Sequence, residues 1–259
     1  MGHRIAHSLR VGALFGAAAI IASAWLGSGA DVHAAGLGAC NAPYAPNIDP
    51  AAFTGAKGQA NVIDNPYLPL LRGRTLVYAG LKEGEAQTDT VAVTNLKKTI
   101  LGVPITVVHD QVTGAGVVRE DTFDFYAQDD SGNVWYFGED TREFDAQGNL
   151  VTTEGSWEAG IDGAFPGIIM EAQPESGDAY RQEYAPGVAV DMGSVLSLQK
   201  QVTVPYGTFD NVLQTKEYSC IESGVDHKFY AAGIGDIQEI AVAGGGETLE
   251  LVSVETKGG

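Results

Sequence analysis

Basic residues are scarce in this sequence. Lysine and arginine together number 15, against 33 aspartates and glutamates, so the formal net charge at pH 7 is −18 and the isoelectric point is near 4.4. A nucleic-acid-binding face needs a basic stripe, and anionic lipid surfaces attract basic segments, so the composition argues against both partners. An excess of negative charge is typical of a soluble protein whose copies repel one another.

Residues for nucleophilic or transition-metal chemistry are also few. Beyond residue 34 the only histidines are His109 and His227, and that part of the chain has no Gly-x-Ser-x-Gly, His-x-x-x-His or Cys-x-x-Cys pattern. Each histidine stands beside an aspartate in a strand-like run, where adjacent side chains point to opposite faces. We therefore expect neither a serine-hydrolase triad nor a zinc or copper centre.

Long apolar runs are confined to the amino end. Arg4 and Arg10 supply positive charge, residues 11–26 form an apolar stretch, and Val32-His33-Ala34 offers a small-residue cleavage pattern. The apolar stretch is short for a membrane span. These features predict a signal peptide over residues 1–34 and a mature chain without a transmembrane segment, exported to the periplasm or the cell exterior.

The sequence has only two cysteines, Cys40 and Cys220. An oxidising compartment favours their pairing, and a bridge across so long a loop contributes about 4–5 kcal/mol in the chain-entropy model. We therefore predict a disulfide. Residues 37–40, Leu-Gly-Ala-Cys, also resemble a lipobox, although they lie ten residues beyond the apolar stretch, so lipid anchoring at Cys40 is the alternative.

Short β-branched and aromatic runs recur about every ten residues from Thr75 to Val254, separated by Gly, Asn and Asp. This pattern predicts an all-β fold: a single curled antiparallel sheet of about a dozen strands with little helix, closed as a half-barrel or barrel or folded as a sandwich. We expect an extended lead-in over residues 35–73 and one β domain over 74–256.

Several local features refine this expectation. Residues 130–133 and 146–149 contain the Gly and Asn that hairpin turns require. Residues 134–137, Val-Trp-Tyr-Phe, lack polar alternation, which predicts a central strand covered on both faces. We expect one strand over 180–184, a long loop at 161–167, and the only short helix at 188–198.

Four segments carry a resemblance: WYFGEDT (135–141), TEGSWEAGIDGAFPGIIM (153–170), YRQEYAPG (180–187) and FYAAGIGDIQE (229–239). They resemble segments of uncharacterised exported bacterial proteins. The last is also similar to a closing motif of curled-sheet lipoproteins and periplasmic proteins of unknown function. The resemblance spans most of residues 62–255. It implies a curled all-β sheet in an exported protein, and it implies no catalytic residues.

The candidate site centres on Trp157, an aromatic side chain among carboxylates. Ligand pockets combine apolar walls with a few polar groups, and a cluster around this residue has that composition. We expect an exported, non-catalytic binding protein for a small or apolar ligand. Its expected binding residues are Trp157, Glu158, Asp162, Phe165, Met170, Arg181 and Glu183, with Ile168 as a further apolar wall.

Two alternatives from other classes stay open. A glycan-acting hydrolase would use Glu154, Glu158 or Asp162, but Glu154 and Glu158 on one strand would stand about 13 Å apart, wider than an inverting pair needs. A Ca²⁺-stabilised envelope protein would draw on the many carboxylates, although the Asp129–Asn133 run lacks EF-hand spacing. We expect no other cofactor, and the sequence leaves the oligomeric state open.

Overall fold

The computed structural model describes residues 40–55 and 62–256. The predicted signal peptide and all of the lipobox except Cys40 lie outside these ranges. Within them the chain forms fifteen strands and one 3₁₀ turn. The elements are η1 (Pro50–Ala52), β1 (Arg74–Lys82), β2 (Glu85–Ile100), β3 (Val103–Gly114), β4 (Val117–Gln128), β5 (Val134–Phe144), β6 (Leu150–Thr152), β7 (Trp157–Glu158), β8 (Phe165–Met170), β9 (Ala179–Arg181), β10 (Glu183–Tyr184), β11 (Asp191–Val204), β12 (Gly207–Ser219), β13 (Val225–Ala231), β14 (Gly235–Ala243) and β15 (Glu247–Thr256).

The strands form one antiparallel sheet that curls until it is nearly closed. Their order is β10-β8-β5-β4-β3-β2-β1-β15-β14-β13-β12-β11-β9, and the short β6 and β7 also pair with β5. Every pairing is antiparallel, because tight hairpins connect most neighbours. The prediction of a curled all-β sheet is confirmed, and the closed form is the barrel-like one.

The two ends of this order, β9 and β10, are consecutive in the chain and separated only by Gln182. β9 pairs with β11, whereas β10 pairs with β8, so the chain itself crosses the seam of the barrel. The backbone N–H of Gln182 donates to the carbonyl of Asp191 at 2.9 Å. The prediction of a single strand over 180–184 is therefore wrong, because its two halves join different partners.

The predicted helix at 188–198 is also wrong. Most of that segment belongs to β11, which pairs with β12 from Asp191 onward and with β9 at Met192. Helix propensity is weak in a run containing Val190, Gly193 and Val195, and pairing on both sides outweighs it. The loop expected at 161–167 is shorter than predicted, because β8 already begins at Phe165.

Both predicted hairpin turns are present. Asp129 accepts hydrogen bonds from the backbone and side-chain nitrogens of Asn133 and from the indole of Trp135, and Asp145 plays the same part for Asn149. These carboxylates therefore stabilise turns. Between the two turns, residues 134–137 lie in β5, which is third from one end of the strand order and is flanked by β4 and β8. Val134, Tyr136 and Phe137 are fully buried and Trp135 is half-buried, so both faces are covered as predicted.

The lead-in contributes to the core. The ring of Phe53 packs edge-on against Trp135 and Phe137, with centroids 6.3 and 5.8 Å apart, while Ile63 and Leu70 are buried beside them. At one end of the barrel the tip of the β11–β12 hairpin folds inward, where the N–H of residue 206 donates to the carbonyl of residue 251 at 3.0 Å. Its apolar residues pack against β1, β14 and β15.

The predicted disulfide between Cys40 and Cys220 is confirmed, with a sequence separation of 180 residues. It fixes the start of the lead-in beside the seam. The guanidinium of Arg181 lies over the rings of Tyr44 and Tyr184, 5.5 and 5.3 Å from their centroids, and donates to the carbonyl of Cys40 at 3.4 Å. The bridge and this cation–π stack therefore hold the lead-in against the two end strands.

Candidate functional site

Strand register places three aspartates on the inner face of three adjacent strands. Asp89 lies on β2, Asp110 on β3 and Asp124 on β4. Val91 pairs with Asp110, and Val108 pairs with Asp124, so residues at alternate positions along each strand share this face. Carboxyls that stand 14 to 35 positions apart in the sequence thereby meet inside the barrel.

These aspartates line a cavity of about 120 Å³, which we call the inner chamber. β13 and β14 form the opposite wall, and residues 68–70 of the lead-in together with residues 234–236 close one end. Most of its wall is apolar or aromatic. Its lining residues include Leu76, Tyr78, Asp89, Val91, Val108, Asp110, Asp124, Tyr126, Lys228, Tyr230, Asp236, Glu239 and Leu249.

Asp89 and Asp110 form a carboxyl pair in the chamber wall. Burial raises the pKa of Asp89 from its ordinary value to about 7, although its hydrogen bond with Asp110 lowers it. Burial and the neighbouring Asp89 charge raise the pKa of Asp110 well above the ordinary value. The Asp89 residue is only 6% exposed, and one oxygen of each carboxyl, Oδ1, has no solvent-accessible surface. Two carboxyls this close to each other do not both ionise readily.

Asp124 belongs to the same wall but is better satisfied. Its Oδ1 accepts a hydrogen bond from the hydroxyl of Tyr136 at 2.7 Å. Burial and then the nearby Asp110 charge raise the pKa of Asp124, the Tyr136 hydrogen bond lowers it, and the net pKa is about 7. Asp89, Asp110 and Asp124 therefore all bind a proton more tightly than an exposed aspartate does.

Lys228 supplies the positive charge on the opposite wall. Its ammonium lies 3.4 Å from both Glu217 and Glu239, and all three side chains are nearly inaccessible to solvent. Burial disfavours the charge on Lys228, yet the two carboxylates hold its pKa well above the ordinary value. For Glu239, burial raises the pKa by more than the nearby Lys228 charge lowers it, so the pKa lies above its ordinary value. The single ammonium is thus shared between two glutamates.

A wider cavity of about 460 Å³, which we call the mouth, opens at the end of the barrel where the β1–β2, β3–β4 and β5–β6 turns lie. Glu120, Glu143, Gln87 and Lys82 are among its lining residues. Asp89 of the chamber and Val112 of the mouth are paired in register, so the two cavities are adjacent along the inner face. Acidic side chains therefore continue from the rim to the chamber.

The sequence-predicted site lies elsewhere, in a separate cavity lined by parts of β2, β4, β5 and β7. Trp157 is 7% exposed, its indole N–H donates to Oε2 of Glu183 at 2.9 Å, and its ring meets Tyr136 edge-on. It forms the floor of a cleft of about 380 Å³, which we call the Trp157 cleft. The side chains around it are Lys98, Phe125, Glu139, Asp140, Ser156, Glu158, Ile161, Asp162, Ala164, Ala185, Pro186 and Val188.

The polar rim of the Trp157 cleft is partly paired. Glu158 forms an ion pair with Lys98 at 2.8 Å, and the Lys98 ammonium lies 4.3 Å from the centroid of the Phe125 ring. Asp162 is exposed in a tight turn and has a positive φ of 50°. Glu158 and Asp162 therefore share the rim as polar groups that remain accessible to a ligand.

The remaining predicted residues are not at this cleft. Phe165 packs against Tyr184 with ring centroids 6.1 Å apart, Met170 is fully buried in the core, and Arg181 lies in the seam stack. Glu183 reaches Trp157 from below, as its hydrogen-bond partner. Glu154 is exposed in the turn before β7, so it does not share a strand with Glu158 as the hydrolase geometry assumed.

Sequence reasoning missed the inner chamber. The signal in the sequence is weak: each of the three aspartates stands two residues from a valine or tyrosine that faces the same way, but Gln87 and Thr122 lie in the same alternating rows. Mixed rows of this kind do not by themselves mark a buried carboxyl. Which rows face one another depends on the sheet order, which the pattern does not give.

No protein-family model matches the chain, and a search of curated proteins gives no significant match. Two solved structures resemble its fold. A candidate exported protein with a YmcC-like fold from Bacteroides fragilis NCTC 9343 shares 12% identity with a TM-score of 0.43, over 73% of this chain and 99% of that one. A candidate lipoprotein from Parabacteroides distasonis ATCC 8503 shares 10% identity with a TM-score of 0.40, over 73% and 98%. No residue role transfers from either protein to this chain.

Two further observations concern the described residues alone. Residues 40–55 and 62–256 contain no group of three or more His, Cys, Asp or Glu side chains placed to hold a metal ion. Within the same ranges no helix is long and apolar enough to span a bilayer.

Proposed function

We propose that the mature chain is an exported protein that binds a small, partly apolar molecule in the Trp157 cleft without making or breaking covalent bonds. The observation that carries this proposal is the fixed indole at the floor of a cleft of about 380 Å³. This volume lies in the range of about 300–1,000 Å³ that is usual for ligand pockets.

The cleft has the chemical composition that such a site needs. Trp157, Ala164, Ala185 and Val188 provide an apolar surface, and the Glu183 hydrogen bond holds the indole in one orientation. A fixed aromatic platform binds a planar or apolar group with little loss of side-chain entropy. Lys98, Glu158 and Asp162 add polar contacts at the rim.

Export is supported by two features of the chain. Residues 1–34 have the composition of a signal peptide, and the Cys40–Cys220 disulfide is of the kind that persists in oxidising compartments. The proposed location is therefore the periplasm or the cell exterior.

Glycan hydrolysis has weaker support. Retaining and inverting enzymes need two carboxyls that flank the scissile bond. Glu154 stands apart from the cleft, and Glu158 is already paired with Lys98. Glu158→Gln tests this alternative, since the pair is about one-third exposed and its loss costs at most about 1 kcal/mol of stability. Turnover of a glycan panel that disappears in this variant would establish the hydrolase instead.

The binding proposal can be tested with tryptophan fluorescence. Trp25 lies in the predicted signal peptide, so Trp135→Phe leaves Trp157 as the only indole of the mature chain. Nile red, a neutral apolar dye, and a panel of small amphipathic compounds serve as probes. A bound probe should shift the Trp157 emission and raise the melting temperature, because it binds the native state alone.

Trp157→Phe is the test variant and Trp135→Phe its matched control. Trp135 is half-buried on β5, the strand that pairs with β7, but it does not line the cleft. The thermal shift should disappear in the first variant and persist in the second. A panel that shifts neither the emission nor the melting temperature, or a shift that survives in Trp157→Phe, would refute binding in this cleft.

A further inference from the structure

We propose that the Trp157 cleft selects a positively charged ligand, an aromatic or otherwise apolar molecule that carries an ammonium group. This inference rests on the function proposed above, which leaves the charge of the ligand open. The charged and aromatic side chains that line the cleft support it.

Carboxyl groups outnumber ammonium groups in the wall of the cleft. Four acidic side chains line it, those of Glu139, Asp140, Glu158 and Asp162, and Lys98 is the one basic side chain among its described lining residues. A cleft lined mainly by one sign of charge attracts ligands of the opposite sign and concentrates them near the site. An anionic ligand would meet carboxyls on several sides, so the cleft disfavours it.

The ammonium of the cleft is already bound, whereas one of its carboxylates is not. Nζ of Lys98 lies 2.8 Å from Oε2 of Glu158, and Asp140 has Arg142 as its partner at 3.0 Å. Asp162 is exposed at the rim, and its carboxylate has no ion-pair or hydrogen-bond partner among the described residues. A negative charge is therefore available to a ligand, and the positive charge is committed.

The aromatic side chains of the cleft favour a cation as well. The Lys98 ammonium lies 4.3 Å from the centroid of the Phe125 ring, so the cleft already holds one cation against an aromatic ring. Tryptophan attracts cations more strongly than phenylalanine does. The Trp157 N–H donates to the carboxyl of Glu183 at 2.9 Å, and an acceptor at this position increases the electron density of the indole, which strengthens the attraction.

The remaining walls define the apolar part of the ligand. Ala164, Ala185 and Val188 line the cleft beside the indole, and its volume is about 380 Å³. A cavity of about 150 Å³ already accommodates benzene. An aromatic ring that bears a short ammonium-carrying arm therefore fits with room for a further substituent.

Three probes of nearly equal size and different charge test this selectivity: benzylammonium chloride, benzyl alcohol and sodium benzoate. We would titrate each into the disulfide-intact mature protein at pH 7 by isothermal titration calorimetry, with ionic strength held constant because salt screens exposed charges. The amine keeps its proton at this pH. We expect saturable binding of benzylammonium at millimolar concentration, about fivefold weaker binding of benzyl alcohol, and the weakest binding for benzoate.

Two substitutions change the charge of the cleft in opposite directions. Asp162→Asn should weaken benzylammonium binding about twofold to fivefold, the effect of losing an exposed charge pair, and should leave benzyl alcohol binding unchanged. Asparagine tolerates the positive φ of this position, so the turn should be retained. Lys98→Gln should strengthen benzylammonium binding by a similar factor, because it frees both Glu158 and the Phe125 ring.

Asp210→Asn is the matched control, because it removes the same charge from an exposed position on β12 and should leave all three affinities unchanged. Equal affinity for benzylammonium and benzyl alcohol would overturn the charge selectivity, while binding in the cleft, which Nile red and Trp157→Phe test separately, would stand. No saturable heat with millimolar benzylammonium, equal losses in Asp162→Asn and Asp210→Asn, or no gain in Lys98→Gln would also overturn it.

Discussion

Replacing Asp89 with Asn should stabilise the unliganded protein, and the gain should grow as the pH rises. In the native state burial raises the pKa of Asp89 to about 7, against an ordinary value of 3.8. Between about pH 4 and pH 7 the native state therefore holds a proton that the unfolded chain has released. Stability falls as the pH rises through this window, because the unfolded state binds fewer protons there than the native state. Above the window Asp89 is deprotonated in both states, so its contribution no longer changes with pH.

The magnitude follows from the size of the pKa difference. About three pKa units correspond to about 4 kcal/mol at 1.36 kcal/mol per unit. Asp110 shares a hydrogen bond with Asp89, so part of that free energy belongs to the pair and is not recovered by changing one member. We expect Asp89→Asn to add about 2 kcal/mol at pH 8, since the amide mimics the protonated acid and can donate to Asp110. At pH 4 the two proteins should have similar stability.

Thermal and urea unfolding between pH 4 and pH 8 would measure this difference. For a chain of this length about 2 kcal/mol corresponds to a rise in melting temperature of about 4–8 °C. Asp210→Asn is the control, because Asp210 is exposed on β12. Parallel stability curves for the wild type and Asp89→Asn across the whole pH range would show that Asp89 is not held protonated by its surroundings.

Three further substitutions test other parts of the structure. Replacing both Cys40 and Cys220 with Ser should lower the free energy of unfolding by up to about 5 kcal/mol in urea titrations, and an unchanged midpoint would show that the bridge constrains little. Lys228→Met should lower the free energy of unfolding by about 3–5 kcal/mol at pH 8, because it leaves two buried carboxylates without a counterion, and by less at pH 5. Equal losses at the two pH values would contradict the ion-pair assignment. Gly167→Ala should lower the free energy of unfolding measured by calorimetry by about 2 kcal/mol or more, because a Cβ there collides with the carbonyl of Gln182 at the seam. Gly163→Ala is the comparison: its Cβ would stand in open space, so this variant measures only the effect of a positive φ.

Local patterns predicted the fold well where local physics decides it. Period-two runs of β-branched and aromatic residues specify strands, and the Gly of each hairpin turn accepts the positive φ that such a turn requires. Gly132 and Gly148 do have positive φ, at 96° and 79°. The pairing of the two cysteines followed from their number and the expected compartment.

The errors lie where distant strands decide the outcome. The segment at 188–198 has no strong local preference, and it becomes a strand because β12 and β9 offer backbone partners on both sides. Similarly, nothing near Gln182 marks it as the point where the chain leaves one end of the sheet and joins the other. Such outcomes depend on backbone hydrogen bonds between segments far apart in sequence.

The same distinction between local pattern and distant contacts applies to the candidate sites. The sequence by itself determined an all-β chain of strong negative charge with an aromatic residue, Trp157, among acids. Only the tertiary structure decided which acids meet, because strand order and register bring Asp89 and Asp110 together and commit Lys228 to other partners. A strand's sequence shows which residues share a face, but the environment that desolvates a carboxyl comes from the opposite wall of the barrel.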